Sequence, residues 1–388
     1  MKLNFIKIVK YFLNAVLRLF ERILFSRKIE SPRKIVVFKV GNIGDILCAI
    51  PSFIAIRKNY PEAEITLLTS PGERGVPGAK ELLQGAWYFN RMIIYGSDEI
   101  NSFQKLKKFI SDLRRERFDL FIQIPPHEWT NFRTFVRNII FAKLLGVESA
   151  FGFRIRVIIN LFRKTQIDYV DGEKETESLL RLLRENGVKA DKTEFDLPIS
   201  AEAESKIEAL LSRKWPDFEN ELLVAIHSGT KKNFPEKRWF PERFGEVVRY
   251  LEVKYAAKII VAGSEDDRPD AEIISRELSP ENALITAGQL TVLETAALLK
   301  HCGFVLGIDS GLLHLAAAVG KPTVGLYSIL DIFGDWFPYG DSHIPVYHRF
   351  LDCNYRQSEC IKKSMGMISV SEVKAACDAM VSKLTYGK

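Results

Sequence analysis

The sequence lacks several features that would settle its class at once. Its 388 residues include only five cysteines, Cys48, Cys302, Cys353, Cys360 and Cys377, with no CxxC pair among them. Only Cys353 and Cys360 are close, which argues against a structural zinc site; the odd count and wide spacing point to a reducing compartment. The apolar N-terminus has no uninterrupted span of the ~20 residues needed to cross a bilayer. Its longest charge-free run is Tyr11 to Leu17, and Arg18 breaks any signal-peptide core. The first glycine turn is not the GxGxxG of dinucleotide-binding folds. A basic body is also missing. Residues 1–30 hold seven Lys/Arg against two Glu, leaving 48 basic and 47 acidic residues in the remainder. The net charge of +6 therefore belongs almost wholly to the N-terminal segment. A basic nucleic-acid-binding surface on the main body is therefore not supported.

What is present fits two soluble α/β domains, with 47% apolar and 27% charged residues. Residues 3–25 read as a helix in which Asn4, Lys7, Lys10, Asn14, Arg18, Glu21 and Arg22 form one polar stripe at spacings of three or four. A basic stripe beside a broad apolar face predicts a helix lying in the interface of an anionic membrane, the alternative being a helix packed on protein. Beyond Ser31-Pro32, strands at Lys34–Val40, Glu64–Leu68, Met92–Tyr95, Phe118–Ile124 and Phe151–Phe153 alternate with helices, which predicts a parallel αβ domain. The turn Gly41-Asn-Ile-Gly44-Asp45 lets backbone approach a ligand closely, and Asp45 falls in the first turn of the following helix. There the helix dipole favours a carboxylate, so Asp45 reads either as a cap or as a functional group. Pro125-Pro-His127-Glu-Trp129 ends another strand with groups suited to a polar acceptor.

The second half repeats the scheme, with strands at Leu222–His227, Ala257–Ala262, Leu284–Thr286, Phe304–Ile308 and Thr323–Tyr327. Its most organised stretch is Gly307 to Tyr327, a strand, a polar turn, a helix and a strand. Ligands of open α/β sheets sit at the carboxyl ends of strands, and N–H groups at Ser310, Gly311 and Leu312 would face one. His314 lies within the same first turn. Three strand-end turns, Ser228–Lys232, Gly263–Asp267 and Asp309–Gly311, predict a nucleoside diphosphate site. Thr230, Ser310 and Gly311 would supply hydroxyl and N–H donors, Lys231, Lys237 or Arg238 a cation, and Glu265 or Asp267 would accept from ribose hydroxyls.

In these motifs the chain resembles glycosyltransferase family 9, the lipopolysaccharide heptosyltransferases. Phe38-Lys39-Val-Gly-Asn-Ile-Gly44-Asp45 through Pro51 is similar to the family's N-terminal motif. Lys237-Arg-Trp239-x-x-Glu242 is similar to its lysine-tryptophan segment, and Asp309-Ser-Gly-x-x-His314 with Gly320-Lys-Pro-Thr to its most specific one. The resemblance runs from about Lys34 to Val373. It implies a GT-B fold of two Rossmann-like domains facing a cleft, inversion at the anomeric carbon, no cofactor and no essential metal. Asp45 would be the general base, with Lys39, Gly44 and His127 on the acceptor side. Lys237 and Thr230 would hold the diphosphate, Asp309 would orient the sugar, and Ser310, Gly311 and His314 would complete the donor site.

The expected organisation is an amphipathic membrane-associating helix at 1–30, an acceptor domain at 31–195, a nucleotide-sugar domain at 196–360, and a C-terminal segment at 361–388 whose helix packs back on the N-terminal domain. The expected partners are a nucleotide-diphosphate sugar (most readily ADP-heptose), a lipid-linked cell-envelope glycan and the inner-membrane surface, with no nucleic acid. The location would be the cytoplasmic face of the membrane, peripherally bound. The chain departs from the family pattern at Asp309-Ser310 (usually Asp-Thr), at Ser328-Ile-Leu-Asp331-Ile and at Ser364-Met365. These departures bear on the donor sugar more than on the reaction. A sugar-nucleotide epimerase and a non-catalytic nucleotide-sugar scaffold are the rival readings; joint retention of Asp45 and Lys237 counts against the scaffold.

Overall fold

The computed structural model describes residues 15, 16, 19, 21, 23–25, 29–70, 77–126, 132–154, 173–229, 235–329, 334–348 and 358–386. Its contacts divide the chain into two compact units, Met1–Asp168 with Glu175–Phe195, and Tyr169–Lys174 with Asp196–Lys388. The chain is α/β, and among the described residues every strand pairing is parallel.

In the first unit, β1 (Lys34–Phe38), β2 (Glu64–Thr69), β3 (Arg91–Ile94), β4 (Leu120–Gln123) and β5 (Ser149–Phe151) form a sheet in the order β3-β2-β1-β4-β5. β1 is almost wholly buried, as a central parallel strand covered by helices on both faces must be. One face carries Val36, Phe38 and Phe121 against Phe135, Ile139, Ala142 and Leu145 of the helix Phe132–Leu145. The helix Ile43–Asn59 is buried along most of its length and packs against the helix Glu175–Glu185. β5 ends two residues earlier than its sequence suggests. Gly152 adopts φ +101°, and a Cβ there would lie 2.1 Å from the Gln123 carbonyl oxygen, so the backbone leaves the sheet where only glycine fits.

The second unit contains β6 (Leu223–His227), β7 (Lys258–Val261), β8 (Ala283–Ile285), β9 (Phe304–Ile308), β10 (Thr323–Tyr327) and β11 (Ile344–Tyr347), in the order β11-β10-β9-β6-β7-β8. This is the doubly wound arrangement, in which the strand order reverses between β6 and β9; in the first unit it reverses between β1 and β4. β11 is not evident in the sequence, because Pro345 interrupts a short and otherwise weak strand signal. Placed at the sheet edge, it needs only one hydrogen-bonding side.

The final helix, Val370–Tyr386, carries an apolar stripe of Val373, Cys377 and Met380, and these side chains lie in the core of the second unit with Val324, Leu326 and Val346. Of the N-terminal segment, Ala15, Val16, Leu19, Glu21, Ile23 and Leu24 are helical. Glu21 is buried at 6% exposure, so it does not share a solvated stripe; Asn4, Lys7, Lys10, Asn14, Arg18 and Arg22 lie outside the described residues. Among the described residues no helix is long and apolar enough to cross a membrane. Cys48, Cys302 and Cys377 are free thiols, whereas Cys360 is disulfide-bonded, against the expectation of uniformly reduced cysteines.

Candidate functional site

Sheets of this topology bind ligands beyond the carboxyl ends of the strands where the order reverses. In the second unit those ends are His227-Ser228 and Ile308-Asp309. β9 is fully buried, and Asp309 continues its ladder by donating its N–H to the Leu326 carbonyl at 3.0 Å. The Asp309 carboxylate is 5% exposed and accepts from Lys237 Nζ at 2.7 Å. A charge buried this deeply requires such a partner.

Lys237 reaches this point from the short helical turn Pro235–Lys237, which the rest of the unit holds in place. Ser358 Oγ donates to Glu236 at 2.6 Å, Trp239 Nε1 donates to the Ile368 carbonyl at 3.0 Å, and Arg243 donates to the carbonyls of Gly366 and Ile368. Trp239 has no exposed surface and meets Phe244 edge to face at 4.8 Å. The neighbouring Arg238 turns away and pairs with the buried Asp270. The structure thus separates the adjacent cations: Arg238 pairs with Asp270, and Lys237 with Asp309 at the end of β9. Thr230, Lys231 and Lys232 lie outside the described residues.

Ser310 is the N-cap of the helix Gly311–Ala318 by position, with extended backbone, yet its hydroxyl makes no capping bond. Its Oγ is buried and has no hydrogen-bond partner. The first N–H groups of a helix are unsatisfied within the helix and carry its positive partial charge. A residue type that normally caps, present but not capping, leaves that end suited to an external anion. His314 does not stand open at this turn. It is 4% exposed and packs against the Trp336 ring with centroids 4.8 Å apart. Trp336 carries no motif signal in the sequence.

The acidic turn after β7 has a different role from its neighbours. Asp267 Oδ2 accepts from the Ser264 N–H and hydroxyl at 2.7 and 2.8 Å. A Cβ on Gly229 would meet Asp267 Oδ1 at 1.8 Å and one on Gly263 would meet Oδ2 at 2.6 Å, so both glycines are required by this carboxylate. Glu265 is exposed and its carboxylate lies over Gly288, where a Cβ would be 2.0 Å from Oε2. Asp267 is thus the group that ties two turns together, and Glu265 the one presented to solvent.

In the first unit the reversal falls between β1 and β4. Asp45 Oδ2 accepts from the Asn42 N–H at 3.1 Å, so the capping reading holds for that oxygen. Gly41 makes room for this: a Cβ there would lie 2.4 Å from Asp45 Cβ. Gly44 is buried in the same turn. Lys39 has no exposed surface and donates from Nζ to the Pro125 carbonyl at 3.0 Å, so it ties β1 to the end of β4 beneath the turn. The Cys48 thiol lies among the charges of Glu175, Asp45 and Lys39 with a hydrogen bond to Thr176; burial, then the Glu175 carboxylate, pushes its pKa well above the usual thiol range. That thiol is inert packing, not a nucleophile. His127 lies outside the described residues. Among the described residues no group of three or more His, Cys, Asp or Glu side chains is placed to hold a metal ion.

Two doubly wound parallel sheets in succession, each with polar turns at its reversal point, define a GT-B chain of the Rossmann-like class. The comparisons with known proteins agree and are more specific. The family model for glycosyltransferase family 9 (heptosyltransferase) matches residues 106–363. Lipopolysaccharide heptosyltransferase 3 of Escherichia coli is 24% identical over 366 residues, covering 89% of this chain and 98% of that protein. Among solved structures, the family 9 glycosyltransferase of Veillonella parvula shares the fold with a TM-score of 0.72 at 19% identity, over 92% of this chain and 99% of that one. ADP-heptose lipopolysaccharide heptosyltransferase II of E. coli does so with a TM-score of 0.64 at 19% identity, over 90% and 99%. The chain belongs to glycosyltransferase family 9.

Proposed function

We propose that the protein transfers a heptosyl group from ADP-heptose, with inversion and without a metal, to a lipid-linked lipopolysaccharide or related cell-envelope glycan. The single observation that carries this reading is the Lys237–Asp309 pair, set beside a helix N-terminus whose own cap residue leaves it uncapped. That combination suits a diphosphate, which needs one mobile cation and several fixed N–H donors. The names of two relatives from E. coli, lipopolysaccharide heptosyltransferase 3 and ADP-heptose lipopolysaccharide heptosyltransferase II, support the sugar and nucleotide.

In this reading Lys237, with Thr230, holds the diphosphate and neutralises charge as it departs. Asp309 gives up part of its hold on Lys237 and orients the sugar. Ser310 and Gly311 donate to the phosphates, and His314, backed by Trp336, closes the donor pocket. Glu265 takes the ribose hydroxyls in preference to Asp267, whose carboxylate is engaged at its own turn. Asp45 takes the proton of the acceptor hydroxyl as that oxygen attacks the anomeric carbon and the C–O bond to ADP breaks. The N-terminal segment keeps the enzyme at the membrane, where a lipid-linked acceptor resides. Calorimetric titration with ADP tests the donor half: binding by the wild type and its weakening in Lys237→Ala are expected, and tight ADP binding unchanged by that substitution would refute the assignment.

A further inference from the structure

The helix Phe132–Leu145 of the first unit has a solvent face that its packing role does not explain. Its inner face is conventional, with Phe135, Ile139, Ala142 and Leu145 in the core. Its outer face carries Arg133, Arg137, Ile140 and Leu144 at successive spacings of four, three and four, which makes one stripe along the helix. All four are exposed; Ile140 retains 53% and Leu144 45% of its surface. The helix has three basic residues and no acidic one.

The stripe does not stand alone. Lys143 donates to the Leu24 carbonyl and sits 4.3 Å from the centroid of the Phe25 ring, which itself stacks on Phe153. This contact sets the end of the N-terminal segment beside the helix, and there Leu19 and Ile23, one turn apart, are 62% and 65% exposed. The helix Phe103–Arg115, whose sole acid is Asp112 against five Lys/Arg, also packs against the helix Phe132–Leu145.

Exposed aliphatic side chains interleaved with cations on neighbouring helices are poorly suited to water. They are equally unsuited to a symmetric contact between two copies, because a two-fold interface presents the same patch to itself and would oppose like charges. They suit a surface that is negative and has an apolar layer just beneath. We propose that this face of the first unit, centred on Arg133, Arg137, Ile140 and Leu144 with Leu19 and Ile23, docks on an anionic phospholipid bilayer. The face is built on the folded first unit, and the proposal does not depend on which sugar is transferred.

The test is co-sedimentation of the full-length protein with vesicles of phosphatidylglycerol and phosphatidylethanolamine, and with phosphatidylcholine vesicles as control. The wild type is expected to pellet with the anionic vesicles and to be partly released by salt. Arg133→Glu with Arg137→Glu should lower the binding constant by about tenfold or more at low salt. Ile140→Ser with Leu144→Ser should weaken the salt-resistant part. All four positions are solvent-facing, so thermal melts should remain unchanged. Lys7→Glu with Lys10→Glu probes the N-terminal segment separately. If that variant loses binding while both face variants pellet like the wild type, this inference fails and N-terminal anchoring stands. If neither face variant alters vesicle binding but Ile140→Ser with Leu144→Ser abolishes a concentration-dependent dimer, a second copy covers the face and the inference is overturned.

Discussion

Lys237 and Asp309, 72 residues apart in sequence, meet at 2.7 Å, with the lysine side chain 15% and the carboxylate 5% exposed. A ligand diphosphate must therefore share a lysine that already has a partner. Lys237→Ala should weaken ADP binding by ~1–3 kcal/mol, the range for a charge-assisted hydrogen bond. Asp309→Asn should leave ADP affinity unchanged or tighter, since the cation is no longer shared, while transfer slows. Calorimetry on both variants checks this; equal loss of ADP binding in each would mean that the pair only maintains the fold.

For Asp45 the predicted effect is on turnover. Asn at this position can still accept the Asn42 N–H through its amide oxygen, so the cap survives while the base is lost. Asp45→Asn should lower kcat by ~100-fold or more with ADP affinity intact. Gly41→Ala should also slow turnover, because the new methyl group would meet Asp45 Cβ at 2.4 Å and displace it. Full activity in Asp45→Asn would reduce Asp45 to a cap.

Trp239 has no exposed surface and anchors the turn that carries Lys237 through its bond to the Ile368 carbonyl. Trp239→Ala should cost ~3–5 kcal/mol in chemical denaturation, as large aromatic deletions in cores do. Trp239→Phe should keep most of that stability and lose the hydrogen bond. A melting temperature unchanged in Trp239→Ala would contradict the packing account.

His343 lies beside a recess of about 190 Å³ lined also by Lys174, Tyr327 and Phe337. Its Nε2 lies 2.7 Å from the Tyr339 carbonyl and its Nδ1 3.0 Å from Thr323 Oγ1. Burial, reinforced by Lys174 and opposed by the Tyr339 carbonyl and Asp341, lowers its pKa below the ordinary 6.5. The neutral ring is then favoured in the folded state, and the unfolded chain binds the proton more readily. Its stabilisation is fully present above pH 6.5 and is lost as pH falls from there toward the folded pKa. His343→Gln should flatten the loss of stability over that interval in denaturation curves taken at stepped pH.

Much of this was legible in the sequence because it rests on local signals. Apolar runs alternating with helical periodicity identify β1, β2, β3, β4, β6, β7, β8, β9 and β10, and the turns after β1 and β9 point to Asp45 and Asp309. What the sequence could not show is pairing over distance. Arg238 and Lys237 are adjacent and chemically alike, and only the fold assigns one to Asp270 and the other to Asp309. Glu265 and Asp267 carry the same acidic signal, and only the fold shows the Asp267 carboxylate accepting from Ser264. Trp336 and His314 meet through a loop with no periodicity to read, and β11 is hidden by Pro345.

The most direct test of the central claim is mass spectrometry of a heptose-deficient lipopolysaccharide acceptor incubated with ADP-heptose and the full-length enzyme. The account predicts that the acceptor gains one heptosyl unit as an equal amount of ADP appears, that Asp45→Asn abolishes the gain while still binding ADP, and that Lys237→Ala reduces both. An acceptor of unchanged mass, with ADP-heptose intact or merely hydrolysed to ADP, would contradict it.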